Sequence, residues 1–425
     1  MKLNYASIKN NFFALTARAL EGSKVIVASI IVAHFFAPED FGRYSYIIGI
    51  SSVIAVIAEF RLQSVMTKEI LQKPKNIGEI LGSAMSANIG FSVLGFLIAA
   101  LYLAFESDKL IVFCTLIYMI SFFYKTPRAF RAYFISTEKN LVIAKCEIAA
   151  SLISFAIILT FVALKLSLAW VIFARSLDFL VSGILLMIAF KLEAKGKINL
   201  SSRFATAKSM IKLSAPLVFS GAAMLLLQRM DLILVRQFLG DHAAGLYSSA
   251  ATAMALFSII PLVISETLAP RIFHKASGVQ TLQAQQRFSD IVVFTGMIMS
   301  LFMAAITPLF IRLLYGTEYL GAHQAMLILS ACPVLIALGA ASGQIIVADG
   351  NQNQSFIKSI VACSINLILN LTLIPSLGIN GAAISTVTGL LIANLISHRF
   401  MPIYRYLFMM QTRSLFPLHL LRKIA

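Results

Sequence analysis

Eleven ionisable side chains stand inside stretches that are otherwise apolar enough to lie in lipid: Arg18, Glu21, Lys24, Glu59, Arg61, Glu147, Arg175, Asp178, Arg229, Asp231 and Glu266. At the centre of a membrane helix each costs roughly 2.5–3.5 kcal/mol if it faces lipid, so most must face one another, water or a ligand. Arg18, Glu21 and Lys24 are three residues apart, and at about 100° per residue they share one stripe of a helix. Two cations flanking one anion leave positive charge over, which suits an anionic ligand; an internal ion-pair ladder through Glu21 is the structural alternative. Arg175 and Asp178 repeat the spacing, so Arg175 is either a ligand contact or half of a structural pair. Arg229 and Asp231 point to opposite sides of their helix. With no opposite charge on its own face, Arg229 is the leading contact. Glu21, Asp178, Asp231, Glu59 and Arg61 are the candidates for ion coupling or ion pairing. Glu59, Arg61, Glu147 and Glu266 fall toward inner helix ends, where solvated or gating roles are expected.

The elements that must position these groups are membrane helices. Of 425 residues 59% are hydrophobic and 12% charged, against about 25% charged in soluble domains. Segments 80–105, 243–265, 291–311 and 319–348 lack any Asp, Glu, Lys or Arg, each longer than the ~18 residues that mark a span. Segment 359–397 would reach roughly 58 Å as one helix, about twice the ~30 Å hydrocarbon core. It must therefore turn back, and Pro375, Gly378 and Gly381 supply the break. The pattern predicts twelve spans, at 12–37, 44–66, 80–105, 109–135, 141–165, 168–192, 211–237, 244–270, 289–315, 321–348, 355–375 and 379–402.

The net charge of +17 is spread over loops rather than gathered on one face, which excludes a nucleic-acid footprint. Most of the 35 Lys and Arg fall in segments on one side of the predicted spans, with Lys125, Arg128 and Arg131 counted among them. The opposite loops hold Arg43, Lys109, Lys165, Arg236 and Arg312. This bias puts both termini in the cytoplasm. Cys114, Cys146, Cys332 and Cys363 show no paired spacing and the six histidines no metal-ligand spacing, so neither disulfides, metals nor other cofactors are expected. No phosphate-binding loop of the G-x-x-x-x-G-K type is written, so the chain has no site to hydrolyse ATP.

One turn is written twice. Phe35 to Ser45 reads FFAPEDFGRYS and Phe238 to Ser248 reads FLGDHAAGLYS. Two six-span halves in the same orientation follow, related by a pseudo-two-fold axis along the membrane normal. Gly42 and Gly245 are expected to take backbone conformations closed to side chains, and Tyr44 and Tyr247 to sit at the membrane interface. The fold class is an all-α membrane protein, with twelve transmembrane helices in two parallel six-helix bundles around a central cavity. Its parts are a bundle at 1–192, a cytoplasmic linker at 193–210, a bundle at 211–402 and a basic interfacial tail at 403–425. The linker is expected to form an amphipathic surface helix attracted to anionic lipid.

The outer turn at Pro38, Phe41, Gly42, Tyr44 and Ser45 resembles the L-G-P-x-x-F-G-x-Y-S turn of polysaccharide-repeat-unit flippases of the O-antigen translocase type. Gly240, Gly245, Tyr247 and Ser248 resemble that family's second-half G-x-x-x-x-G-x-Y-S. Asn366, Asn370, Pro375, Gly378, Gly381, Ala382 and Ala383 match its eleventh-helix pattern, while Ala37 departs from the usual glycine. The resemblance implies a non-enzymatic member of the multidrug, oligosaccharidyl-lipid and polysaccharide exporter superfamily, MATE-like in fold, in a bacterial inner membrane. The substrate implied is an oligosaccharide on polyprenyl diphosphate, moved outward for O-antigen, capsule or exopolysaccharide synthesis, with membrane lipid and a polysaccharide polymerase as partners. Arg18 and Lys24 would then grip the diphosphate by analogy with the cationic first helix of related lipid flippases. Arg229 joins them by position and Arg175 by its place in the cavity. A drug exporter of the same fold and a membrane-embedded glycan polymerase or ligase are the competing classes; the second would need a large outer loop, and the outer loops are short.

Overall fold

The computed structural model describes residues 24–195, 198–273, 279–349 and 352–416. Arg18 and Glu21 lie outside them. The long apolar runs become helices: α1 Lys24–Phe35, α2 Pro38–Glu59, α3 Leu62–Gln72, α4 Ile77–Leu103, α5 Lys109–Met119, α6 Phe130–Ser136, α7 Asn140–Ala163 and α8 Leu168–Ala194. There follow α9 Phe204–Phe273, α10 Val279–Phe310, α11 His323–Leu329, α12 Cys332–Ala348, α13 Gln352–Leu377, α14 Ile379–Leu391 and α15 Arg405–Leu415. Helix ends carry local stop signals. The Asp108 carboxylate accepts from the Leu110 amide at 2.8 Å and opens α5, and Gly378, at φ 62°, separates α13 from α14.

Nine helices among the described residues are long and apolar enough to cross a membrane, ten if the bent pair Thr317–Leu329 and Cys332–Ala348 counts as one span. The twelve expected spans differ from this at two places. Of the first only Lys24–Phe35 is described, and the seventh runs into the eighth as α9. Seventy residues of straight helix would extend about 105 Å, and α9 is broken instead at Gly240, φ 84° and ψ −178°. The second span is also interrupted. Phe60 and Arg61, at φ 47° and 48°, part α2 from α3, an arrangement that costs of order 1–3 kcal/mol per residue.

The chain divides into two compact units, one of residues up to Ile31 with Arg43–Arg229, the other of Val32–Gly42 with Met230–Ala425. The division falls inside α9 rather than in the linker. In the first unit a core of Leu62, Met66, Leu81, Phe130, Phe134, Leu186 and Phe190 is closed to solvent. Of the linker, residues 204–210 are helical as the start of α9, with Ala207 and Met210 buried and Phe204 exposed. Lys195, in the left-handed region, ends α8, and residues 198–203 run without regular structure along α4. A Cβ on Gly78 would lie 2.0 Å from the Asn199 carbonyl oxygen and one on Gly82 2.3 Å from that of Ser201. The Arg203 amide donates to Ser83 Oγ at 2.9 Å. Glycine here lets backbone lie on backbone.

The second unit explains the repeated turn. Neither Gly42 nor Gly245 has positive φ; Gly240 does. The two glycines are needed for room. A Cβ on Gly42 would meet the Asp241 oxygen at 1.9 Å, and one on Gly245 the Pro38 oxygen at 1.8 Å. The copies pack reciprocally, each glycine against the backbone of the other copy. Both tyrosines are buried inside the protein, Tyr44 at 2% exposure and Tyr247 at 4%. Over the described part of the tail one helix packs a face inward. Helix α15 buries Leu407, Met410, Gln411 and Ser414, with Gln411 Nε2 donating to the carbonyls of Leu338 and Asn394, both at 2.9 Å. Residues 417–425 lie outside the described residues.

Gly245→Val should lower stability by about 1–3 kcal/mol or more through forced separation of the two turns. Gly343→Ala, at a glycine with open space around it, should leave stability near the parent's. Thermal unfolding of the detergent-solubilised proteins checks both.

Candidate functional site

Lys24, the first described residue of α1, ends in the interior of the first unit, 6% exposed. Its ammonium lies 2.9 Å from Asp178 Oδ2 on α8 and 3.3 Å from Glu147 Oε2 on α7. Asp178 also takes Arg175, one turn back on α8, at 3.2 Å, and the Ser154 hydroxyl at 3.3 Å. Arg175 and Asp178 therefore form the pair that their spacing allowed. Arg175 further reaches the hydroxyl of buried Tyr44, which ties the first copy of the turn to this cluster.

Glu147 is the centre of the cluster and not the solvated helix-end group expected from its position. It is 1% exposed, and three cations converge on it: Lys24, Arg128 at 3.3 Å and Arg131 at 3.9 Å. The Ser182 hydroxyl donates to it at 3.4 Å. Arg128 and Arg131, counted by sequence with the inner-side charges, enter because the span that begins at α5 loses its α-helical form over Thr126–Ala129, at Pro127, and resumes as α6. Lys125 completes the row, 2.6 Å from Glu59. Lys125, Arg128 and Arg131 are three residues apart, the same signal that singled out Arg18, Glu21 and Lys24.

The Phe179 ring collects three of these cations, with Lys125 Nζ 4.3 Å, Arg128 Cζ 5.7 Å and Arg175 Cζ 6.0 Å from its centroid. The negative face of an aromatic ring offsets part of their mutual repulsion. Around Glu147, Asp178 and Glu59 stand Lys24, Lys125, Arg128, Arg131 and Arg175, an excess of two positive charges among the described residues. Arg229 is half-buried, with Tyr118 as its electrostatic neighbour. No carboxylate among the described residues lies within ion-pair distance of it. Arg61 is exposed at the α2–α3 break.

The second unit holds a carboxylate of a different kind. Asp231, 7% exposed, accepts from Thr386 Oγ1 at 2.6 Å, Tyr247 Oη at 3.1 Å and Asn370 Nδ2. No cationic side chain among the described residues pairs with it. Asn370 Nδ2 also reaches Asn366 Oδ1 at 3.0 Å, while Asn370 Oδ1 is buried without a hydrogen-bond partner. Tyr247 belongs to the second copy of the turn, so each copy delivers a tyrosine to a buried charged group, Tyr44 to Arg175 and Tyr247 to Asp231. Among the described residues no three His, Cys, Asp or Glu are grouped to hold a metal. The asparagines stand four residues apart in an apolar run, a signal legible in the sequence.

This helical architecture is that of a transporter fold. The structure superposes on the lipid II flippase MurJ in an inward closed conformation with a TM-score of 0.68 at 16% identity, over 98% of this chain and 93% of that one. It superposes on the eukaryotic MATE transporter AtDTX14, also at 0.68, with 14% identity over 96% of this chain and 97% of that one. By sequence, residues 8–275 match the family described as polysaccharide biosynthesis protein, and the chain belongs to that family. It is 24% identical over 392 residues to the capsular polysaccharide biosynthesis protein CapF of Staphylococcus aureus, covering 89% of this chain and 95% of that protein. It is 23% identical over 217 residues to Agl15 of Haloferax volcanii, named a probable low-salt glycan biosynthesis flippase, covering 49% of this chain and 44% of that one.

Removing one member of a buried ionic cluster leaves the others uncompensated. Glu147→Ala should lower stability by about 3–5 kcal/mol. Adding Arg128→Ala should restore part of that loss, because the two sites share the interaction. Thermal unfolding of the single and double variants measures the coupling.

Proposed function

We propose that this protein moves a saccharide carried on a polyprenyl diphosphate from the cytoplasmic to the outer leaflet of a bacterial inner membrane, for assembly of a surface polysaccharide. The observation that carries this reading is the excess of positive charge buried in the first unit among the described residues. Cations are costly in an apolar interior, and a diphosphate supplies the missing negative charge through charge-assisted hydrogen bonds. Arg175 and Lys24, with Arg229 and Arg18, are the groups proposed to hold it. Lys24 already bridges two carboxylates, so its part is to exchange one of them for the ligand. A glycan bound this way crosses among polar groups while its lipid tail stays in the bilayer. The family and the names of CapF and Agl15 support the glycan; MurJ supports the class of lipid-linked cargo.

Transport by alternating exposure of the site to the two sides requires an energy source, and the Asp231 cage is the proposed place for the coupling ion. Three donors converge on one carboxylate that no cationic side chain pairs among the described residues, and a nearby amide oxygen is buried and unpartnered. A monovalent cation or a proton would satisfy both features. The drug-exporter reading has in its favour that same uncompensated acid, and protection of cells against cationic dyes would distinguish it.

In a strain lacking this protein, the parent gene should restore surface polymer. Arg229→Ala and Arg18→Ala should each abolish it while the protein remains in the membrane at the parent level, and Asp231→Asn should do so by uncoupling. Polymer at the parental level in both arginine variants would reject the assignment.

A further inference from the structure

A second set of donors gathers where α2 breaks from α3. Phe60 and Arg61 leave the helix with φ 47° and 48°, a conformation that non-glycine residues keep only where the surroundings hold it. Phe60 is pinned by stacking on Phe91 of α4, centroids 3.9 Å apart and planes 10° apart. Its neighbour Arg61 is thereby set at the mouth of a cleft of about 70 Å³, exposed and without an ion pair among the described residues. Asn88 of α4 and Lys125 and Arg128 form other parts of the wall, and Glu59 is the one acid in the lining. The Thr126 hydroxyl donates to Asn88 Oδ1 at 3.0 Å, so the opposite end of that amide, an N–H donor, is left for a ligand. Lys125 is paired with Glu59 and Arg128 with Glu147, so Arg61 and the spare amide donor are the cleft's open donors for an oxyanion, with Lys125 and Arg128 adding positive field.

We propose that this cleft binds a single phosphate group of a lipid. Its volume corresponds to roughly five water-sized positions, enough for phosphorus and its oxygens. Arg61 offers a planar fork matched to two phosphate oxygens, Lys125 a point charge and Asn88 a neutral donor. The phosphate comes either from the diphosphate of the lipid-linked saccharide, in which case the cleft is a loading position separate from the buried cluster, or from an anionic phospholipid headgroup. The first source rests on the function proposed above; the second does not.

The test uses the full chain in phosphatidylcholine nanodiscs titrated with farnesyl diphosphate. Arg61→Ala and Asn88→Ala should each weaken binding about tenfold, with farnesol failing to bind in every case. Arg61→Gly relieves the left-handed residue, so it should melt no lower than the parent and still lose binding to the same degree, which a merely structural role for Arg61 would not produce. Phosphatidylglycerol that competes with farnesyl diphosphate in the parent identifies the headgroup as the source; absence of competition identifies the diphosphate lipid. Parental affinity in Arg61→Ala, Arg61→Gly and Asn88→Ala together would overturn the proposal. If Arg175→Ala alone then lost affinity, the function proposed for the buried cluster would stand without the cleft. No binding by the parent would sink both.

Discussion

Charge inside an apolar unit must be answered locally, and Glu147 shows how this chain does so. Charges attract several-fold more strongly in a protein interior than in water, but taking them out of water costs more still. One carboxylate ringed by Lys24, Arg128 and Arg131 holds α1, α6, α7 and the broken segment before α6 in mutual register. Asp178 extends the same network to α8 through Lys24 and Arg175. Among the described residues the bases of this network outnumber its acids, the feature on which the proposed anion binding rests. A neutral ladder of the same size would stabilise the unit equally well and bind nothing.

The duplicated turn relates this cluster to the rest of the chain. Each copy has a glycine that permits backbone contact and, two residues later, a tyrosine that reaches a buried polar site. The glycines meet each other's backbones inside the second unit. The tyrosines part company, Tyr44 to Arg175 and Tyr247 to Asp231. The two copies thus share a packing device and a hydrogen-bonding device while the charged groups their tyrosines reach differ, a base inside an ion-pair cluster and an acid that no cation pairs among the described residues.

Helix positions were legible because lipid imposes a length and a composition on each span. Predicted 168–192 and observed Leu168–Ala194 differ by two residues for that reason. Partners across helices were not legible, since periodicity places residues on one helix face and is silent about what that face meets. Glu147, 123 positions from Lys24, accepts a hydrogen bond from it, a pairing that no local spacing announces. A basic residue near a span end ordinarily lies in water, so the sequence does not show that the break at Pro127 brings Arg128 and Arg131 to the buried Glu147. Gly42 and Gly245 were singled out correctly for the wrong property, as a sequence does not distinguish a glycine needed for its torsions from one needed for its missing side chain.

The central claim, that the buried positive excess exists for an anionic lipid carrier, is tested most directly in reconstituted vesicles of neutral lipid. A polyprenyl-diphosphate-linked disaccharide and the same disaccharide joined to the polyprenol without phosphate are offered inside, and their arrival outside is read with a lectin. The diphosphate-linked compound should cross at a rate that depends on the protein, and the phosphate-free one should not. Equal transfer of both compounds, or transfer of neither alongside export of a cationic dye, would contradict the account.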